Sequence, residues 1–356
     1  VIKGHATINS DKTISIKSQD ASSIITGSHI IIATGARPRE ISSLAQDGKK
    51  IIGYRDAMTL KKQPKDLIIV GSGAIGIEFA YFYNSMGTNV TIIEYLPKIA
   101  PLEDDDISKE LEKILKKQGI NVMTSSELTE SEIVNDKVNI KIKVENSKII
   151  DLNADVVLSA VGIKSNIEGI GLENIGIEIE NDKILVDDFY KTNIDGFYAI
   201  GDIVHGPALA HVASAEGITC IEKIKGMNVN PLDYGNIPGC TYCKPEIASV
   251  GLTEKQAMEN GLDIKVGKFP FTASGKAQSS GNSEGFVKVI FDSKYGEWLG
   301  CHMIGSNVTE MISEAVVGRK LETTGHEILK TVHPHPTLSE AVMEAVADAY
   351  DEVIHL

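Results

Sequence analysis

The chain of 356 residues has no apolar run longer than Phe79-Ala80-Tyr81-Phe82-Tyr83. A membrane-spanning helix needs about 20 apolar residues, so none is expected. Cysteine is scarce, with Cys220, Cys240, Cys243 and Cys301 the only four. That is too few for a disulfide scaffold and suits a reducing, cytoplasmic setting. Basic charge is in deficit, 35 Lys and Arg against 49 Asp and Glu, for a formal net charge of −14. Polyanionic partners, both nucleic acid and anionic membrane, are therefore disfavoured. Also lacking are long repeats, low-complexity tracts and Pro-rich linkers; the chain opens on Val1, and no signal peptide is expected. What is present is ordinary for a globular protein. Hydrophobic residues at 42% and charged residues at 24% predict two or three domains with ample core.

Residues 5–33 alternate short β-type runs with turns and end in the strand His29-Ile30-Ile31-Ile32-Ala33. Residues 67–70 read as a strand, 74–86 as a helix and 89–93 as a second strand. Residues 106–118 read as an amphipathic helix, with Ile107, Leu111, Ile114 and Leu115 on one face and Gly119 ending it. Residues 137–144 alternate Val138, Ile140, Ile142 and Val144 with polar residues, a half-buried strand after an Asn135-Asp136 turn. Buried-type strands follow at 155–161 and 196–200. From Pro238 the character changes to antiparallel strands at 247–250, 265–271, 286–291 and 297–303, with helices near 309–320 and 339–350. The reading is an α/β region to about residue 236, then an α+β domain.

The strongest local signal is Gly71-Ser72-Gly73-Ala74-Ile75-Gly76, between a strand and a helix, with Glu94 ending the next strand. Gly71 permits a tight turn, Gly73 leaves room for a pyrophosphate, and Gly76 lets helix and strand pack closely. The helix N-terminus offers free N–H groups and a positive dipole end. Glu94 can accept both ribose hydroxyls and would repel a 2′-phosphate, which favours NAD over NADP. A turn used only for packing is the competing reading.

In His333-Pro334-His335-Pro336-Thr337-Leu338-Ser339-Glu340, a His held between prolines lies near a carboxylate that can orient it. Such a pair makes a general base suited to a thiol proton. The same residues also fit a capping box, Thr337 to Glu340. Asp202, at the end of a strand, reads either as a ligand for hydroxyls or as a turn residue. Thr34-Gly35-Ala36 ends a buried strand in the same way. Cys240 and Cys243 form a CxxC without a second pair for zinc and without a helix N-terminus to activate a thiolate, so they read as inert. No metal site is expected, and Asp104-Asp105-Asp106 reads as helix capping. Cys220 and Cys301 read as core.

Taken in order, these motifs resemble the dihydrolipoyl dehydrogenase family of the pyridine nucleotide–disulfide oxidoreductases. The resemblance runs through Ile30–Pro38 (IIIATGARP), Gly71–Glu78 (GSGAIGIE), Ser159–Gly162 (SAVG), Ala199–Ile203 (AIGDI), Ala208–His211 (ALAH), Pro245–Glu254 (PEIASVGLTE) and the His335 segment, essentially the whole chain. It implies a Rossmann-like FAD/NAD(P)-binding fold with two dinucleotide domains and an α+β dimerisation domain. The implied segments are a partial FAD domain at 1–53, an NAD domain at 54–165, the rest of the FAD and central region at 166–236, and an interface domain at 237–356. It further implies that Ala6, Thr34, Gly35, Ala36, Asp202, Ala208, Leu209, Ala210 and His211 lie along FAD. Gly71, Ser72, Gly73, Ala74, Ile75, Gly76, Ile77, Glu78, Glu94, Leu128 and Gly162 would line the NAD site. His335 is the implied acid–base residue, held by Glu340, and it serves the partner subunit of a homodimer. The implied partner is the lipoyl-bearing subunit of a 2-oxo acid dehydrogenase or glycine cleavage complex.

Two family features have no match, a first GxGxxG for the ADP half of FAD and a redox CxxxxC. The expectation is therefore an N-terminally truncated member that does not turn over dihydrolipoamide and holds FAD weakly. The alternatives are a mercuric reductase-like flavoprotein, a soluble transhydrogenase, or a non-catalytic short form that only binds NAD.

Overall fold

Leu67, Ile68, Ile69 and Val70 are buried in succession, as a strand covered on both faces requires. They belong to β1 (Asp66–Val70), the central strand of a five-stranded parallel sheet. A helix α1 (Ala74–Ser85) and strand β2 (Asn89–Ile93) follow, then helix α2 (Asp105–Lys117) and, later in the chain, strand β3 (Val156–Ser159). The strand order is Ile51–Ile52, β3, β1, β2 and Asn121–Met123. The computed structural model describes residues 1–19 and 21–355, without the side chain of Asn146.

α2 buries Ile107, Leu111, Ile114 and Leu115, the face its spacing predicts. Asp104 caps it by accepting from the Asp106 N–H at 3.0 Å. Three antiparallel strands, Glu127–Val134, Lys137–Lys143 and Ile149–Ala154, make a separate small sheet. Its Val138, Ile140 and Ile142 pack with Ile68, Val70 and Ile93. Asn135 and Asp136 turn the first hairpin with φ of 49° and 65°. These are the left-handed values of a tight hairpin turn.

Beyond Pro238 lies a five-stranded antiparallel sheet in the order Gly239–Thr241, Glu246–Gly251, Trp298–Gly305, Phe286–Asp292 and Ile264–Pro270. Helices α3 (Val308–Lys320) and α4 (Glu340–Ala349) cover it. Met311, Ile312, Val342 and Val346 share its core with Trp298 and Phe291.

The chain packs as two compact units, Val1–Arg37 with Ile163–Tyr234, and Pro38–Gly162 with Gly235–Leu356. This differs from the four segments expected from sequence. Residues 38–53, expected with the FAD part, contribute Ile51–Ile52 to the parallel sheet, where both side chains are buried beside β3. The C-terminal sheet shares a core with the dinucleotide sheet as well. Ile247, Phe286 and Ile304 cluster with Ile77, Leu111 and Ile114.

In the other unit, His5–Ile8, Thr13–Lys17 and Ser22–Thr26 form an antiparallel meander. Ile30–Ile32 pairs in parallel with Phe197–Ala199, and the helix Ala210–Ile224 follows.

Candidate dinucleotide and acid–base sites

Three parallel strands bring their carboxyl ends together around the Gly-rich loop. The Gly71 N–H donates to Ile93 O at 2.8 Å, and the Ala160 N–H to Val70 O at 2.8 Å. The loop thus leaves the sheet where strands on either side of β1 come from different parts of the chain, a topological switch point. Gly71 adopts φ +101°, and a Cβ there would stand 2.4 Å from Ala160 O. A Cβ on Gly76 would stand 2.1 Å from Gly71 O, so helix and loop meet at a distance only glycine allows. Gly73, in contrast, has nothing within 4 Å of its Cβ position. Its open side and the uncapped N-terminus of α1, with no acidic residue in the first turn, are suited to a phosphate.

A cavity of about 500 Å³ opens at this point. Of the residues expected there, Gly71, Ser72, Gly73, Glu94 and Leu128 line it. Gly76 and Ile77 are buried in α1 and act through packing. Ala74 and Ile75 form the first turn of that helix. Gly162, just beyond the lining residues Ala160 and Val161, has φ +105° and open space at its Cβ position. Glu78 faces elsewhere, because its Oε1 accepts from the Tyr242 N–H at 2.9 Å and it lines a different, apolar cavity with Phe79 and Phe82. Its place on a helical turn away from the loop accounts for this. Sequence reasoning missed Tyr95, Leu96 and Ser126, which also line the dinucleotide cavity. Tyr95 and Leu96 directly follow the acid, and that adjacency was the available signal.

Glu94 is 7% exposed. Its Oε2 accepts from the Ser72 N–H at 2.9 Å and the Ser72 hydroxyl at 2.6 Å, and its Oε1 accepts from the Leu96 N–H at 2.8 Å. The acid that ends β2 therefore also fastens the loop that ends β1.

The second constellation lies at the start of α4. His335 Nδ1 is 2.9 Å from Glu340 Oε1, and the Thr337 N–H donates to Glu340 Oε2 at 2.8 Å. One carboxylate oxygen thus meets the ring and the other the Thr337 N–H, which is half of the expected capping box. The reciprocal half of the capping box is missing, since the Thr337 hydroxyl donates to Pro334 O at 2.7 Å. The His335 side chain is 80% exposed, which leaves its ring open to solvent. Burial pushes the Glu340 carboxyl up, but the Thr337 N–H and the His335 ring outweigh this and hold it below its usual range. Behind it, His333 Nε2 meets Glu314 Oε1 at 2.8 Å, and Nδ1 meets Thr331 O at 3.1 Å. Both ring nitrogens face acceptors, and the Glu314 hydrogen bond raises the His333 pKa.

Residues 2–217 match the family described as pyridine nucleotide-disulphide oxidoreductase, and residues 237–346 match its dimerisation domain. A dihydrolipoyl dehydrogenase of Rhizobium etli is 49% identical over 93% of this chain and 69% of its own length. One from Bacillus subtilis is 46% identical over 92% of this chain and 69% of its own. Among solved structures, LpdA from Mycobacterium tuberculosis superposes with a TM-score of 0.87 at 26% identity, covering 96% of this chain and 74% of the other. The chain belongs to the pyridine nucleotide–disulphide oxidoreductases.

The cofactors of this family are FAD and NAD, and the residues present fit both. The NAD fit is the open side of Gly73 beside Glu94. For FAD, Thr34–Ala36 and Asp202 follow the two parallel strands of the other unit, at their carboxyl ends. Thr34 and Gly35 are fixed by Asn166: the Thr34 hydroxyl donates to Asn166 O at 2.6 Å, and the Asn166 N–H to Gly35 O at 2.8 Å. Ala36 lies in a short strand paired with Ile163–Ser165. The Asp202 carbonyl accepts from the Ser165 hydroxyl and from Lys183 Nζ. Among the described residues its half-buried carboxylate takes no hydrogen bond, leaving it open to ligand hydroxyls. The preceding Gly201 N–H donates to the buried Glu216 at 2.5 Å. Ala208, Leu209, Ala210 and His211 lead into the helix Ala210–Ile224, with Leu209 half-buried and the other three exposed. Ala6 is paired with Ile16 in the meander of the same unit.

The four cysteines are free thiols. Cys240 stands in a strand, and burial raises its pKa. Burial pushes Cys243 up to about 12 and Cys220 to about 11, and it raises the fully buried Cys301 further. None has the depressed pKa of a reactive thiolate. Among the described residues there is no group of His, Cys, Asp or Glu able to hold a metal and no helix long and apolar enough to cross a membrane.

Proposed function

We propose that the chain carries the nicotinamide-binding and acid–base parts of an enzyme that oxidises protein-bound dihydrolipoyl groups with NAD, its own four cysteines taking no part in the sulfur chemistry. The observation that carries this reading is the exposed His335–Glu340 pair, in a chain 49% identical to a dihydrolipoyl dehydrogenase. The reaction removes two electrons and two protons from a dithiol to leave a cyclic disulfide, with NAD⁺ taking a hydride and one proton released. FAD, when bound, relays the electron pair between sulfur and nicotinamide. His335 holds the proton taken from the first thiol, so that the thiolate is the attacking species. Glu340 orients the ring through Nδ1. The N-terminus of α1 and Gly73 hold the pyrophosphate, and Glu94 holds the adenosine ribose. Asp202 takes hydroxyls of the flavin's side chain, and Ala208–His211 pass beside its ring.

A side chain exposed to this degree suits delivery to the active site of a second copy, in line with the dimerisation-domain match. The proposed partner is the lipoyl-bearing subunit of a 2-oxo acid dehydrogenase or glycine cleavage complex, and the proposed compartment is the reducing cytoplasm. The disulfide that a lipoyl thiolate attacks is not supplied by Cys240 and Cys243, whose thiols are raised by burial.

Two measurements test this reading. Calorimetric titration of the 356-residue chain with NADH and NADPH is expected to show binding with NADH favoured. Preference for NADPH, or binding of neither, overturns it. Assay of the same chain with dihydrolipoamide and NAD is expected to give no turnover, and measurable turnover overturns the assignment of the four cysteines as bystanders.

A further inference from the structure

Ser72, between the first two glycines of the loop, is fully buried. Both of its donors converge on one atom, Glu94 Oε2, at 2.9 and 2.6 Å. Oε1 accepts the Leu96 N–H at 2.8 Å and, among the described residues, nothing else. A carboxylate oxygen offers about two lone-pair sites. Oε2 is thus filled, while Oε1 keeps one site free. Glu94 lines the dinucleotide cavity, so that one site is what the carboxylate has left for a ligand hydroxyl. This revises the expectation that Glu94 accepts both ribose hydroxyls.

We propose that Ser72 is a specificity-determining residue of the dinucleotide site, acting as a positioning residue through Glu94. By occupying Oε2 it fixes the rotamer of the acid and leaves Oε1 to take a single ribose hydroxyl. A carboxylate held by three donors cannot swing aside, so a 2′-phosphate meets a fixed negative charge. Without the hydroxyl, two backbone donors remain, and the acid gains freedom to withdraw. The proposal rests on the NAD reading of this cavity.

The test is a double-mutant cycle on the whole chain, with NADH and NADPH as probes. Ser72→Ala is expected to weaken NADH binding by about tenfold, the scale of one charge-assisted hydrogen bond, and to narrow the preference for NADH over NADPH. Glu94→Gln is expected to narrow it further. The double variant should match Glu94→Gln alone, because Ser72 acts through the acid. An unchanged cofactor ratio in Ser72→Ala, or losses that multiply in the double variant, would overturn the proposal. Thermal melts accompany each titration. If Ser72→Ala melts early, Ser72→Cys takes its place, keeping the side-chain size while weakening the donor, with the same expected narrowing. Absence of binding of either nucleotide to the wild-type chain overturns the NAD reading itself. Binding with an unchanged ratio overturns only the role of Ser72.

Discussion

The Gly71–Gly76 loop and the His335 loop both lead into helices, yet they are built in opposite ways. In the first, Ser72 and Gly76 are buried, and the Glu94 carboxylate is held by three donors. In the second, the His335 ring is 80% exposed and bonded to the protein through Nδ1. A loop that must present N–H groups to a phosphate needs a fixed backbone, and close packing supplies it. A side chain that must meet a thiol brought from outside needs only its orientation fixed, so exposure costs it nothing. The first site stands on its own residues, while the second leaves its ring open to solvent.

The largest expected effect breaks the first site from within. Gly76→Ala places a Cβ 2.1 Å from the Gly71 carbonyl, so helix or loop must shift. A loss of about 3 kcal/mol or more is expected, the range of severe overpacking. Gly73→Ala meets nothing within 4 Å and should leave the melting temperature unchanged. It should still weaken NADH binding tenfold or more, because its methyl stands where the pyrophosphate approaches. Melting curves and NADH titrations of the two variants separate packing from binding. Equal melting temperatures would remove the distinction drawn between these glycines.

The next effect concerns the joint beneath the dinucleotide sheet. Lys288, on the C-terminal sheet, has a side chain only 3% exposed and meets Asp104 at 2.8 Å, Asp106 at 3.1 Å and Glu254 at 2.6 Å. Burial pulls its pKa down, but the bonds to Asp104 and Glu254 outweigh this and raise it. Burial likewise pushes Asp104 up, and Lys288 outweighs it and lowers it. Lys288→Met leaves Asp104 buried without its cation, for an expected loss of about 3 kcal/mol in urea denaturation at pH 7. Adding Asp104→Asn should recover part of that loss. If the cost stays under about 1 kcal/mol, the pair is not what fastens α2 to the C-terminal sheet. The raised Lys288 pKa means that its contribution is intact below pH 10.5 and is lost as pH rises through the folded value. The lowered Asp104 pKa means that its contribution is lost only in acid, as pH falls below about 3.8.

Much of both sites was legible because their signals are local. The Gly-rich loop, its strand and its helix lie within about 20 residues, and their periodicities agree. The His335–Glu340 contact falls within one turn, and the family motifs supplied its meaning. The Lys288 cluster was not legible, because Lys288 and Asp104 are 184 residues apart and a capping aspartate looks the same with or without a cation. Ile51–Ile52 and Asn121–Met123, strands of two and three residues, are too short to show a period, so spacing alone does not tie residues 38–53 to the parallel sheet. The Ser72–Glu94 bond escaped because it depends on rotamers and on strand neighbours, not on spacing alone.

The smallest effects sharpen the second site, and pH distinguishes its two carboxylate–histidine pairs. His333 has a side chain 6% exposed and a pKa raised above 6.5 by Glu314. Thr331 O and Glu340 also face it. Its contribution is full below pH 6.5 and is lost as pH rises through the folded value. His333→Gln should therefore cost about 1–2 kcal/mol at pH 6, as for a buried charged hydrogen bond, and less at pH 9. Glu340 runs the other way. Its pKa lies below 4.5, so its contribution is present above pH 4.5 and fades only as pH falls through the folded value. Glu340→Gln should cost under about 1 kcal/mol, as for a largely exposed pair, with no change between pH 6 and 9. Melting temperatures of both variants at pH 4, 6 and 9 test the contrast. If the His333→Gln deficit does not shrink from pH 6 to 9, the buried ring is not held as a cation. The loop bearing His335 would then be positioned by packing, and the contrast between the two carboxylate–histidine pairs would reduce to one of exposure.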